Sequence, residues 1–225
     1  MMTPQQIELY GDLACPFAYV AHYRWRQLRG EYAGRVVVIH RSLSLEYVNR
    51  EPTPKPLVEA EIAALAANEP GLLYKRWSAP DSAWPVTIWP AFEAVKCAER
   101  QGVELADDLA WAIRVALFAE SRCISLRHVL LEIAASIPDL DLARFESDFD
   151  RGVAKELVIR EARRGWEELR VPGSPTFVLP DGQQIAAPGL PDLEFDEKTG
   201  QVREVRSAPC AAPCFEVYRA FLDAA

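Results

Sequence analysis

The side chains best suited to chemistry in this 225-residue chain are cysteines, and Cys15 is the best placed of the five. It is followed at once by Pro16 and Phe17. Pro16 suits the first turn of a helix, where its missing N–H would have no partner. A cysteine just ahead of it sits where unpaired amides converge and the helix dipole favours negative charge. A thiol there ionises more easily, and the thiolate is the nucleophile. A free cysteine in a packed interior is instead a small inert residue, so placement decides between the two. Cys210 and Cys214, four residues apart, can bond to each other if their Cα atoms come within about 7 Å. They can also resolve a mixed disulfide formed elsewhere. No histidine cluster completes a zinc set with them, so no metal centre is expected. Cys97 and Cys123 fall on or beside helical segments and read as core. His22 follows the Cys15 corner by about one turn and reads as a solvent-exposed or packing histidine, a place near the thiol being the alternative, and His40 and His128 show no catalytic spacing. Trp77, Trp84 and Trp89 stand among Pro80, Pro85 and Pro90. They either pack or form an apolar wall over a cleft.

The elements around Cys15 follow from periodicity. Gln6 to Tyr10 alternates as a strand, and Phe17, Val20, Ala21, Trp25, Leu28 and Tyr32 mark one helical face ending near Gly34. Val36-Val37-Val38-Ile39 reads as a strand buried on both faces. Together they form a βαβ unit with a right-handed crossover, which puts Cys15 at the carboxyl end of a strand, where α/β sheets bind ligands. Strand signals then vanish. Helices are expected at Leu57–Ala67, Pro90–Arg100, Asp107–Glu120, from a Ser125 cap, and from an Asp141 cap, the last broken or kinked at Gly152. Strands return at Thr176–Leu179 and Gln183–Ala187 around an Asp181-Gly182 turn, and again at Leu193–Val205 with a turn near Lys198-Thr199-Gly200. A short terminal helix uses Phe215, Val217, Tyr218, Phe221 and Leu222 as its apolar face.

Composition narrows the function. The net charge of -8 lacks the basic footprint of a nucleic-acid groove. No run of about 18 apolar residues is present to span a membrane. The start of the chain has neither a basic n-region nor an apolar stretch, so a cytoplasmic location is expected, with the cysteines reduced.

Two motifs carry a family resemblance. Cys15-Pro16-Phe17-Ala18 resembles the Cys-x-x-Cys active site of the thioredoxin superfamily, with alanine in place of the second cysteine. Val171-Pro172-Gly173-Ser174-Pro175-Thr176-Phe177-Val178 resembles the cis-proline loop of DsbA-like proteins. The element order matches nearly throughout. Phe118-Ala-Glu-Ser-Arg-Cys-Ile-Ser125 is similar to the helix-loop-helix of the branch holding FrnE-like oxidoreductases, hydroxychromene-carboxylate isomerases and kappa-class glutathione transferases.

The resemblance implies an α/β thioredoxin fold with a large all-α insertion. Residues 1–50 and 166–225 would form the thioredoxin-like domain, and 51–165 the inserted helices. It implies thiol–disulfide oxidoreductase activity, with Cys15 as catalytic nucleophile and Pro16, Phe17, Ser174 and Pro175 binding substrate. No tightly bound cofactor is implied, and glutathione or another small thiol would be a co-substrate. Partners would be a small thiol or disulfide, or a protein disulfide, with no nucleic acid or membrane; the oligomeric state is left open. Ala18 leaves three routes: resolution by an external thiol, resolution by Cys210 or Cys214, or no redox cycle. In the third, Cys15 replaces the serine that orients a glutathione thiolate in the isomerases and transferases. A non-catalytic binding module is the remaining alternative. Because the strand after Asp181-Gly182 runs back to the active edge, Ala187-Pro188-Gly189 should arrive near Cys15 and bring the Cys210–Cys214 segment to that edge.

Overall fold

Branched side chains at 36–39 favour an extended, doubly buried strand, and it pairs along its length with the first strand of the chain. The computed structural model describes residues 3–196, 202–206, 210–211 and 213–224. In it β1 (Gln5–Gly11) runs parallel to β2 (Val36–Ser42), with Ile7 opposite Val38 and Gly11 opposite Ser42. Helix α1 (Pro16–Leu28) makes the crossover between them. It stops before Gly34, and Tyr32, expected on the helix, is buried from the turns that follow. Strand β3 (Thr176–Val178) is antiparallel to β1, pairing Tyr10 with Thr176, and β4 (Gln184–Ala186) is antiparallel to β3. The sheet order is therefore β2-β1-β3-β4, with the strand that leads into Cys15 inside the sheet.

Between β2 and β3 the described chain contains no strand. It holds α2 (Leu45–Asn49), α3 (Lys55–Ala66), α4 (Trp89–Glu99), α5 (Val103–Phe118), α6 (Arg127–Ala135), α7 (Leu142–Asp150) and α8 (Lys155–Arg163), the last widening into a π-helical turn over Arg164–Glu168. Asp141 caps α7 as expected, accepting from the Arg144 N–H at 3.0 Å. Gly152, at a φ of 63°, separates α7 from α8. Ser125 does not cap α6: the helix starts at Arg127, and the Ser125 hydroxyl donates to the Thr87 carbonyl. The chain ends in α9 (Phe215–Leu222). Strands β5 (Leu193–Phe195) and β6 (Val202–Val205) pair separately from the main sheet, and the expected turn at 198–200 lies outside the described residues.

Helices and sheet share one core. Ile7 and Leu9 of β1, Val20 of α1, Leu109 and Ile113 of α5, Leu130 of α6 and Phe221 of α9 all belong to one contiguous apolar cluster. Burial of this kind contributes about 25 cal/mol per Å² of apolar surface. The stretch proposed as an insertion, 51–165, therefore packs on the sheet rather than around a centre of its own. This is what brings α5, from the middle of the chain, beneath the Cys15 corner.

Candidate active site

Cys15 is the N-cap residue of α1, in extended conformation, with Pro16 in the first turn. Its N–H donates to the Asp12 carbonyl at 3.3 Å, and its carbonyl accepts the Tyr19 N–H at 3.0 Å. Asp12 staples the corner. One of its carboxylate oxygens accepts the Ala14 N–H at 2.7 Å, and the other the Leu45 N–H at 2.9 Å, at the start of α2. The Asp12 N–H in turn donates to the Ser174 hydroxyl at 2.9 Å. The Ser174–Pro175 peptide is cis, and the Ser174 carbonyl lies 3.3 Å from Cys15 Sγ, so the thiol can donate to it. The far strand closes the loop, with the Ala187 N–H on the Pro175 carbonyl at 2.9 Å. Cys15, Pro16, Phe17, Ser174 and Pro175 are thus brought together. Phe17 and Ser174 are half-buried, and the other three are buried.

The electrostatics correct one expectation. Cys15 is only 5% exposed, and burial pushes its thiol up to about 11. A hydrogen bond from the Ser174 side chain and the Ala18 N–H favour the thiolate, while the charges of Glu61 and Asp12 oppose it. The helix start does act in the expected direction, but desolvation outweighs it. At neutral pH the resting site holds a protonated thiol. Glu61, on α3, has its own carboxyl pushed up to about 7 by burial. Arg114, on α5, is 1% exposed and donates from Nη1 to the Asp12 carbonyl at 2.7 Å. Burial brings it down to about 10, which leaves it cationic at neutral pH.

Cys210 and Cys214 are bonded to each other. This corrects the expectation that all five cysteines are reduced, and in this state neither sulfur is a free thiol able to resolve Cys15. The pair packs against Gly189, at a φ of 65°, where an added Cβ would stand 2.8 Å from the Cys214 Cβ and 3.1 Å from the Cys210 sulfur. The Gly189 carbonyl accepts from Arg24 Nη1 at 2.9 Å. Arg24 is nine residues beyond Cys15, roughly 13 Å along a helix axis. So β4 returns to the cis-proline loop, and the disulfide lies against Gly189, whose carbonyl the Arg24 guanidinium of α1 holds. Cys97 is buried and pushed up to about 12, chiefly by burial, and Cys123 is half-buried.

Of the three tryptophans, Trp84 reaches a shallow cleft shared with Asp12, Ala14, Glu46 and Val58, at the margin of the corner. Trp77 meets Trp84 edge-on at 4.8 Å, and Trp89 packs against Phe92 and Tyr47. His22 and His40 are not independent packing residues. Both direct Nε2 at one oxygen of Asp107, at 3.0 and 2.8 Å, while Arg26 and Arg29 hold the other oxygen at 2.9 and 3.0 Å. The three ligand-type atoms lie within 4.8 Å of one another. Arg26 and Arg29 also bond Asp108, so the charges balance without an added cation. Burial lowers His22 to about 3, which makes it a neutral donor to Asp107. A cavity of about 410 Å³ lies at the far end of α1, lined by Trp25, Val36, Val38 and Asp108 among others, away from Cys15.

Asp12, Glu61 and Arg114 were not singled out from sequence. Asp12 lies three residues before Cys15, a polar residue at a strand-to-helix corner. Arg114 carried a signal too, as a lone charge inside the apolar run from Leu109 to Phe118.

No family model matches the sequence, and no curated protein matches it. Solved structures do. A candidate protein disulfide isomerase from Nitrosomonas europaea superposes with a TM-score of 0.70 at 15% identity, covering 98% of this chain and 97% of the other. The cytosolic disulfide reductase DsbM from Pseudomonas aeruginosa, also solved with GSH, gives 0.60 at 23% identity, over 80% and 87% of the two chains. A 2-hydroxychromene-2-carboxylate isomerase gives 0.56 at 16% identity, over 80% and 87%. The chain has the DsbA-like form of the thioredoxin fold, with its helices inserted between β2 and β3. Among the described residues no helix is long and apolar enough to cross a membrane.

Proposed function

We propose that this chain is a monothiol disulfide oxidoreductase that works with a small external thiol, glutathione or an equivalent, in the cytoplasm. One observation carries the reading: Cys15 Sγ stands at a helix start 3.3 Å from the Ser174 carbonyl, with Pro175 next and Ala18 where a second thiol would be. A peptide or glutathione backbone that docks as an added strand pairs with the groups beside the proline. An incoming N–H on the Ser174 carbonyl would displace the Cys15 S–H, whose proton is then lost to solvent to give the attacking thiolate. The Cys15 thiolate then bonds to one sulfur of the substrate disulfide, and the other sulfur leaves with the electron pair. The external thiolate next attacks the substrate sulfur of the mixed disulfide, and Cys15 departs as thiolate. One half of the substrate leaves as a thiol and the other as a mixed disulfide with the external thiol. A second external thiolate attacks the external sulfur of that product, releasing the second half as a thiol and leaving the two external thiols joined as a disulfide. The similarity to DsbM, solved with GSH, supports the choice of co-substrate.

The test is incubation with glutathione disulfide, mass spectrometry of the Cys15 peptide, and turnover of a small disulfide with reduced glutathione. An adduct on Cys15 and turnover lost in Cys15→Ser are expected. No adduct and no turnover would sink the reading.

The resting protonated thiol favours one alternative. An S–H held as a donor can orient a bound glutathione thiolate, as a serine hydroxyl would, for an isomerase or transferase. Turnover that requires glutathione, leaves its oxidation state unchanged and survives in Cys15→Ser would select that reading.

A further inference from the structure

Resting on the disulfide-exchange reading, we propose that Arg114 is the positioning cation of the Cys15 site: it braces the corner carrying the sulfur and supplies the counter-charge to its thiolate. Arg114 stays cationic at neutral pH despite its burial, and burying a charge is costly unless something compensates it. Arg114 is 1% exposed, yet among the described residues no carboxylate lies within 4 Å of it. Its Nε has no partner. The Asp12 carboxylate, close by, is already taken up by the amides of Ala14 and Leu45.

The geometry points the guanidinium at the reacting corner. Nη1 donates at 2.7 Å to the same Asp12 carbonyl that accepts the Cys15 N–H at 3.3 Å. Nη2 lies 3.6 Å from the point where a Cβ on Gly11 would stand, and the Ala18 Cβ and Ser174 Oγ lie 3.3 and 3.8 Å from that point. The cation therefore borders the space beneath position 18, where this chain has a methyl and no second polar group to face the sulfur. Burial works against the charge of Arg114; of the acidic groups that favour it, Cys15 comes first, ahead of Asp12, Tyr19 and Asp107. Ionisation of Cys15 would therefore place a negative charge in the field of Arg114. That happens twice in the cycle: when the sulfur attacks, and when it departs as the external thiol attacks the substrate sulfur of the mixed disulfide.

A purely structural arginine would brace Asp12 and do nothing else, and two variants of the full chain separate the roles. Arg114→Gln keeps an amide donor for the Asp12 carbonyl and loses the charge; Arg114→Lys keeps the charge and loses the fork. Iodoacetamide labelling of Cys15, read by peptide mass spectrometry across pH, follows the thiolate fraction. Unfolding midpoints check that each variant is folded. R114Q should label about tenfold or more slowly at a fixed pH below both midpoints, a rise of about one unit in the titration. R114K should stay within about threefold of wild type, because the charge is retained. A folded R114Q that titrates like wild type overturns the proposal, as does a folded R114K slowed as much as R114Q. Should R114Q not fold, R114K decides alone, and a tenfold slowing there counts against the proposal. Turnover with glutathione disulfide is measured separately. Its absence in wild type would remove the exchange reading while the labelling comparison still stands or falls by itself.

Discussion

Cys15 Sγ and the carbonyl oxygen of Ser174 meet at 3.3 Å across a sequence separation of 159 residues. The contact ties the start of α1 to the loop entering β3, and it is made by the protonated thiol. The chemistry of the site therefore depends on what lets that proton leave.

Stability should fall in alkali through this residue. The folded thiol is raised to about 11, above the ordinary value near 8.5. A raised acid is stabilising while neutral, so the contribution is full below the unfolded value and is lost as pH climbs through the folded one. Over about pH 9 to 11 the loss should reach about 2–3 kcal/mol. Urea unfolding of wild type and Cys15→Ala across this range measures it. The two curves should converge with rising pH, and parallel curves would mean that the thiol is not raised.

Glu61→Gln should make Cys15 more reactive. The Glu61 carboxylate opposes ionisation of the thiol, and it is itself charged only above about 7. Labelling of E61Q should exceed wild type by several-fold, up to about tenfold, above neutral pH and match it in mild acid. Equal rates throughout would place Glu61 outside the field of the sulfur.

The Cys210–Cys214 bond should matter for stability and not for turnover. Closing a loop this short contributes about 2 kcal/mol by chain entropy. Changing both residues to Ser should lower the unfolding free energy by about that much, while a glutathione adduct on Cys15 is released at the wild-type rate. Slower release in the double variant would return the pair to a resolving role.

Asp107→Ala should be the costliest of these changes. It removes the acceptor of two buried imidazoles and one carboxylate of a four-charge network. Breaking a buried pair by deleting one partner costs about 3–5 kcal/mol. A loss below 1 kcal/mol in urea unfolding would show that the cluster is idle.

The parts of the site legible in the sequence were those made by neighbours in sequence. Pro16 after Cys15 announced a helix start, and Gly173-Ser174-Pro175-Thr176 announced the loop, because local backbone chemistry restricts both. The apolar periods of α1, α5 and α9 were read for the same reason. The acidity of Cys15 was not, since it is set by how completely distant segments bury the sulfur. Glu61 and Arg114 arrive from α3 and α5, and no spacing rule links them to Cys15. His22, His40 and Asp107 come from α1, β2 and α5, and they look unrelated until the helices pack. Ser125 suited a cap by type, but the Thr87 carbonyl claimed its hydroxyl.

The gap between Cys15 and Ser174 also has a bearing on synthesis. A ribosome delivers the nucleophile early and its acceptor late. Until the loop at 173–175 has emerged and docked on β1, nothing holds the S–H or closes the corner over it. The nascent chain therefore carries a more open and more acidic thiol than the finished protein, during the interval when misplaced disulfides are most easily made. Completion of β3 ends that interval, and the contact with Ser174 then holds the sulfur as an S–H donor.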